Sequence, residues 1–116
     1  SGQGRIVFIG SVYGGAGSAM EVAYSTVKGA LSAFALAYSK EVASLGITVN
    51  VVAPGAVDTQ MNQVFSKADK DSVSAEIPTG RFAAPTEISY WVSALLAQKA
   101  GYLTGQTIYV SGGWLK

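Results

Sequence analysis

The chain has 116 residues, enough for one domain with one core, and a net charge of +1 with only 13% of residues charged. It contains no Cys and no His, which excludes a disulfide scaffold, thiolate metal sites, a Cys nucleophile and a Ser-His-Asp triad, so no metal site is expected. Near-neutral charge provides no field for nucleic acid, and the longest uncharged helix-like stretch, 29–39, falls well short of the ~20 apolar residues of a membrane span. No secretory pattern opens the chain, so a cytoplasmic protein binding neither nucleic acid nor membrane is expected. Ordinary domains carry about 25% charged residues. A chain with so few charges is expected to present part of its exterior to a partner rather than to water. The opening Ser1-Gly2-Gln3-Gly4 lacks an initiator Met, and the natural start is expected upstream.

In chain order, residues 5–10 hold the run Ile6-Val7-Phe8-Ile9 between glycines. A continuous β-branched and aromatic run without alternation predicts a strand covered on both faces, as in a parallel sheet. Residues 11–18 are Gly-rich and read as a loop. From about 19 to 45 the pattern is helical, with Val27, Leu31, Phe34, Tyr38 and Val42 at spacings of three and four and Ala or other small residues filling much of the rest. A helix apolar nearly all round is expected to be buried on more than one side, and its small residues would let another helix approach closely. Gly46 ends it.

Residues 47–53 form a second buried-type strand, stopped by Pro54-Gly55. Residues 60–79 collect Lys67, Asp69, Lys70, Asp71 and Glu76 with few large apolar residues, predicting an exposed, mobile flap. Thr86 is expected to cap a helix carrying the stripe Ile88, Trp91, Val92, Leu95 and Leu96, closed by Gly101. Residues 106–110 make a third strand. The order strand, helix, strand, flap, helix, strand implies right-handed crossovers and parallel strands. Three strands make a thin sheet, and an apolar first strand at its edge is a pairing hazard.

Two residues stand out chemically. Tyr24 and Lys28 are four apart, so they share a face of the long helix one turn apart. An ammonium beside a phenol favours the phenolate and fits the phenol for proton transfer near neutral pH. Ser11 follows the first strand, where α/β sheets carry functional groups, and lies close enough in sequence for its hydroxyl and the Tyr24 phenol to meet at one carbonyl oxygen. A lone Tyr-x-x-x-Lys pair is more often structural than catalytic.

The segments Ile6-Val7-Phe8-Ile9-Gly10-Ser11, Tyr24-Ser25-Thr26-Val27-Lys28, 50–59 (Asn-Val-Val-Ala-Pro-Gly-Ala-Val-Asp-Thr) and 102–113 (Tyr-Leu-Thr-Gly-Gln-Thr-Ile-Tyr-Val-Ser-Gly-Gly) together resemble the short-chain dehydrogenase/reductase family, nearest its 3-oxoacyl-carrier-protein reductase-like members. The resemblance spans the whole chain and implies an NAD(P)-dependent oxidoreductase moving hydride between nicotinamide and a small-molecule ketone or secondary alcohol. It makes Tyr24 the general acid–base, Lys28 the residue that tunes it and bonds the nicotinamide ribose, and Ser11 the residue that polarises the substrate oxygen. It also assigns Pro54 and Gly55 to the nicotinamide pocket, Val57 backbone groups to the carboxamide and Thr59 to the cofactor. The flap becomes the substrate-binding region. The long helix becomes a surface that packs on its mate in a homo-oligomer.

The resemblance covers only the C-terminal half of such a protein. The implied fold is α/β, a single incomplete Rossmann-type domain over 1–116, with three parallel strands and flanking helices. The Gly-rich turn that holds dinucleotide phosphates is missing, along with the residue that selects NAD from NADP and an upstream catalytic Asn. Ser111 stands where the family usually has Asp. Three readings follow: half of a working reductase, inactive until joined by an N-terminal half; a truncated non-catalytic relative acting as an interaction protein; or a homo-oligomer in which two copies complete one sheet or bundle.

Overall fold

The computed structural model describes residues 3–10, 18–58 and 66–114, with the side chains of 18–25 left undescribed. Its strands are β1 (Gly4–Ile9), β2 (Ile47–Pro54) and β3 (Thr107–Val110), and its helices are α1 (Ser18–Val42), α2 (Lys67–Glu76) and α3 (Pro85–Leu96). The sheet order is β1-β2-β3 and both pairings are parallel, Gly4 opposite Ile47 and Val51 opposite Thr107. The α/β class and the three parallel strands expected from the sequence are therefore found.

β2 is the centre of the molecule because every residue from Thr48 to Pro54 is buried. Its alternating side chains serve two layers. Val49 and Val51 join Ala35 and Val42 of α1 in one core, with Ile6, Phe8, Leu31, Tyr38 and Ile47 packed around it. Phe8, Phe34 and Tyr38 continue that contact as an aromatic row, with ring centroids 5.9 and 5.5 Å apart. Arg5 points to the opposite face, where its guanidinium donates to the carbonyls of Ala97 and Gln98 just beyond α3. There it ties β1 to the turn that follows α3, whose Ala97 carbonyl also accepts from the Ala100 N–H. The helices α1 and α3 thus cover opposite faces of β1.

Four expectations need correction. The long helix is α-helical only to Val42 and finishes as a 3₁₀ turn, Ala43–Leu45, which Gly46 closes in the left-handed region at φ 75°. Nor is α1 buried on more than one side: Ala35, Ser39 and Val42 face the core while Val27 and Phe34 are 66% and 52% exposed. Thr86 is not the cap of α3. Ala84 occupies that position, Pro85 takes the first helical position, where a missing N–H costs nothing, and the Glu87 carboxylate accepts from the Ala84 N–H. Gly101 follows a separate 3₁₀ turn, Gln98–Ala100, rather than closing α3 itself.

The flap also contains more order than its composition implies. Ser66 accepts from the Asp69 N–H and starts α2. Val73, Ile77 and Phe82 pack with Ala56 and Trp114 in a second small core. Apolar surface lies open on α1 (Val27, Phe34), on α3 (Trp91, Leu96) and at Tyr102, in keeping with the sparse charge.

Candidate functional site

In a parallel sheet all strands end on one edge, and that edge collects the residues singled out from the sequence. Gly10 leaves β1 there, its N–H donating to the Val52 carbonyl at 2.8 Å. Pro54 ends β2 opposite Val110, the last residue of β3. The Gly55 N–H then donates to the Val110 carbonyl at 2.9 Å. A Cβ on Gly55 would lie 2.9 Å from the Ser111 Cα, so only glycine lets these two chain ends approach. Val57 forms an isolated parallel bridge with Ala83, and the Asp58 N–H donates to the Ala83 carbonyl at 2.8 Å. This joins the β2 exit to the segment leading into α3.

Lys28 projects from α1, one turn beyond Tyr24, over the end of β3. Its Nζ sits 4.6 Å from the centroid of the Tyr109 ring. Among the described residues the ion pairs are Arg81–Glu87 at 2.7 Å and Lys70–Asp58 at 3.5 Å, neither involving Lys28. The backbone of Tyr24 is helical, while Ser11 and Thr59 lie outside the described residues. The structure therefore brings Lys28, Pro54 and Gly55 to one edge of the sheet, with Val57 just beyond it.

Behind this edge lies a cavity of about 120 Å³ walled by Thr79, Arg81, Glu87, Trp91 and Ser111, with none of Lys28, Pro54, Gly55 or Val57 in its lining. Its charges are already paired with each other. The Arg81 guanidinium grips Glu87 in two parallel bonds of 2.7 and 2.8 Å. That bond, with the Ala84 N–H, pulls the Glu87 carboxyl down to about 2 and raises Arg81 above its ordinary value.

Sequence reasoning missed two supporting groups. Buried Asn50 donates to the Leu103 carbonyl and accepts from the Gln106 N–H, which fixes the entry to β3. Tyr109 supplies the ring beneath Lys28. No local sequence signal marks it, because the contact arises from how α1 lies against β3. Among the described residues no helix is long and apolar enough to cross a membrane, and no three acidic side chains cluster as a metal site would need.

Residues 1–115 match the family described as Enoyl-(Acyl carrier protein) reductase. The chain is 49% identical over 97% of its length to the uncharacterized oxidoreductase YmfI of Bacillus subtilis, of which it covers 46%. It is 43% identical over 95% of its length to the 3-oxoacyl-[acyl-carrier-protein] reductase FabG of Salmonella typhimurium, of which it covers 45%. Among solved structures, the TT0495 protein of Thermus thermophilus superposes with a TM-score of 0.83 at 40% identity, over 97% of this chain and 49% of that one. The chain spans about half the length of the relatives it matches, consistent with a partial Rossmann-type fold.

Proposed function

Because this chain belongs to the short-chain dehydrogenase/reductase family, 3-oxoacyl-carrier-protein reductase-like, we propose that it carries the proton-transfer half of an NAD(P)-dependent ketone reductase. The observation that supports this most directly is the Lys28 ammonium held at the strand-end edge of the sheet, without a carboxylate partner among the described residues and one helical turn from Tyr24. The Lys28 ammonium can favour the Tyr24 phenolate while donating to a ribose hydroxyl. Tyr24 gives its phenolic proton to the ketone oxygen on reduction and takes it back on alcohol oxidation. Ser11 donates a hydrogen bond to the same oxygen. When bound, a nicotinamide dinucleotide supplies the hydride for reduction or accepts it for oxidation.

In this reading Pro54 and Gly55, at the end of β2, border the nicotinamide pocket, and the Val57 segment beyond them contacts the carboxamide. Thr59 completes the cofactor contacts in this reading. The phosphate-binding turn is supplied by a segment other than 1–116, and the chain by itself turns over poorly. The exposed apolar side of α1, with Val27 and Phe34, favours a homo-oligomer as the working form. The protein works in the cytoplasm, and the names of its relatives make a 3-oxoacyl thioester the first substrate to try.

The test follows nicotinamide absorbance with that thioester, using the chain alone and then the chain mixed with the dinucleotide-binding half of the YmfI relative. Turnover in the mixture that disappears with Tyr24→Phe is expected. A folded, associated mixture that oxidises neither NADH nor NADPH would overturn the proposal.

A further inference from the structure

Lys28 is held by a neutral ring where a carboxylate would be the common partner, and the surroundings of that contact have the order of a built one. The long helix α1 runs antiparallel to β3 and touches it in three successive rungs. Gly105, just before the strand, is so close to Ser39 that a Cβ there would lie 2.8 Å from its Oγ. Two residues on, the Thr107 hydroxyl bonds the Ser32 hydroxyl at 2.9 Å. Two further on, the Tyr109 ring receives the Lys28 ammonium at 4.6 Å. Thr107 and Tyr109 share a strand face because side chains alternate, so the register that pairs the first two rungs also turns the ring toward Lys28.

We infer that Tyr109 is a positioning residue for Lys28, its ring face holding the ammonium at the strand-end edge without neutralising it. An aspartate or glutamate in that place would cancel the charge and occupy the strongest donor directions. An aromatic face attracts the cation through its quadrupole, carries no net charge and takes no conventional hydrogen bond. The ammonium is thereby localised with its charge intact, as the proton chemistry proposed for Tyr24 requires. This inference rests on that reading of Lys28.

The contact is read first by proton NMR of the 116-residue chain with its lysines labelled at Cε. The face of a ring shields nuclei above it, so the Lys28 CεH₂ signal is expected upfield of those of the other five lysines. That displacement should persist in Tyr109→Phe and vanish in Tyr109→Leu. A Lys28 signal among the others in the unmodified chain overturns the inference without recourse to any variant.

The role is read in the ketone-reduction assay. Turnover is expected to fall about two- to fivefold in Tyr109→Leu, the change matching a cation–π contact at a half-exposed site. Tyr109→Phe, which keeps the ring, should retain it. If Lys28→Met abolishes turnover while the Leu and Phe variants behave alike, the positioning role falls and the reading of Lys28 stands. If Lys28→Met has no effect, the reading itself falls, and the inference with it.

Discussion

Gly55 and Ser111 approach so closely that the smallest possible side chain on Gly55 would sit 2.9 Å from the Ser111 Cα. The obstacle is main chain at the end of β3, so no rotamer change can relieve it. Gly55→Ala must separate the ends of β2 and β3 and strain the 2.9 Å bond from Gly55 N–H to the Val110 carbonyl. A loss of about 1–3 kcal/mol is expected, as for overpacking at other tight sites. Urea denaturation checks it; a midpoint equal to that of the unmodified chain would show that the two ends have room to spare.

Asn50 ties the central strand to the loop before β3 through both ends of its amide. Asn50→Leu keeps the branched outline at a somewhat larger volume but leaves the Leu103 carbonyl and the Gln106 N–H without their partner. The expected cost is about 2–3 kcal/mol. Amide exchange of Val51, whose N–H donates to the Gln106 carbonyl, should quicken more than that of Val49, which is held by the Thr104 hydroxyl.

Thr48 makes the opposite prediction. Its hydroxyl oxygen is buried and has no hydrogen-bond partner among the described residues. Thr48→Val replaces that oxygen by a methyl of similar size, removing an uncompensated desolvation penalty while keeping the β-branched shape of a strand residue. Stability should rise by about 1 kcal/mol, seen as an increase of about 4 °C in Tm. A lower Tm would mean that the hydroxyl is satisfied in solution.

The Arg81–Glu87 pair gives a pH signature. Glu87 titrates near 4.5 when unfolded and about 2 when folded. The pair's contribution is therefore complete above 4.5 and is lost as pH falls through about 2. The urea-midpoint difference between the unmodified chain and Glu87→Gln should be constant above that window and shrink within it. Both side chains are exposed, so the difference should be modest and should diminish with added salt. A difference that grows on acidification would contradict the assignment.

How far the sequence could be read depended on whether a signal was local. Ile6 to Ile9 and 47–53 announce strands by composition alone, but only β2 is buried, while β1 at the sheet edge stays half-buried with Ile9 exposed. Gly46 marks a helix end because few other residues accept φ near 75°. The flap was harder. Its charges were correctly read as exposed, yet Ser66 as a cap and Val73 and Ile77 against Trp114 depend on a core assembled from distant segments. Thr86 resembles a cap because threonine often is one, but Pro85 takes the first helical position and puts the cap at Ala84, two residues earlier. At the candidate site the Tyr24–Lys28 spacing was legible because it lies within one helix. The Tyr109 ring was not, because it reaches Lys28 only through the register of α1 on β3.

The wholly parallel sheet has a consequence for how the chain reaches this state. No strand is joined to its neighbour by a hairpin. Gly4 must wait for Ile47, and Val51 for Thr107, before a single ladder bond can form. The entropy of loop closure is thus lost before any pairing offsets it, which makes folding slow relative to a helical bundle of equal length. During synthesis β1 leaves the ribosome long before β2, and its apolar edge is open throughout that interval. The same wait recurs for β2 until β3 is made, so slower elongation across 54–106 would lengthen the time in which an incomplete sheet can pair with another copy.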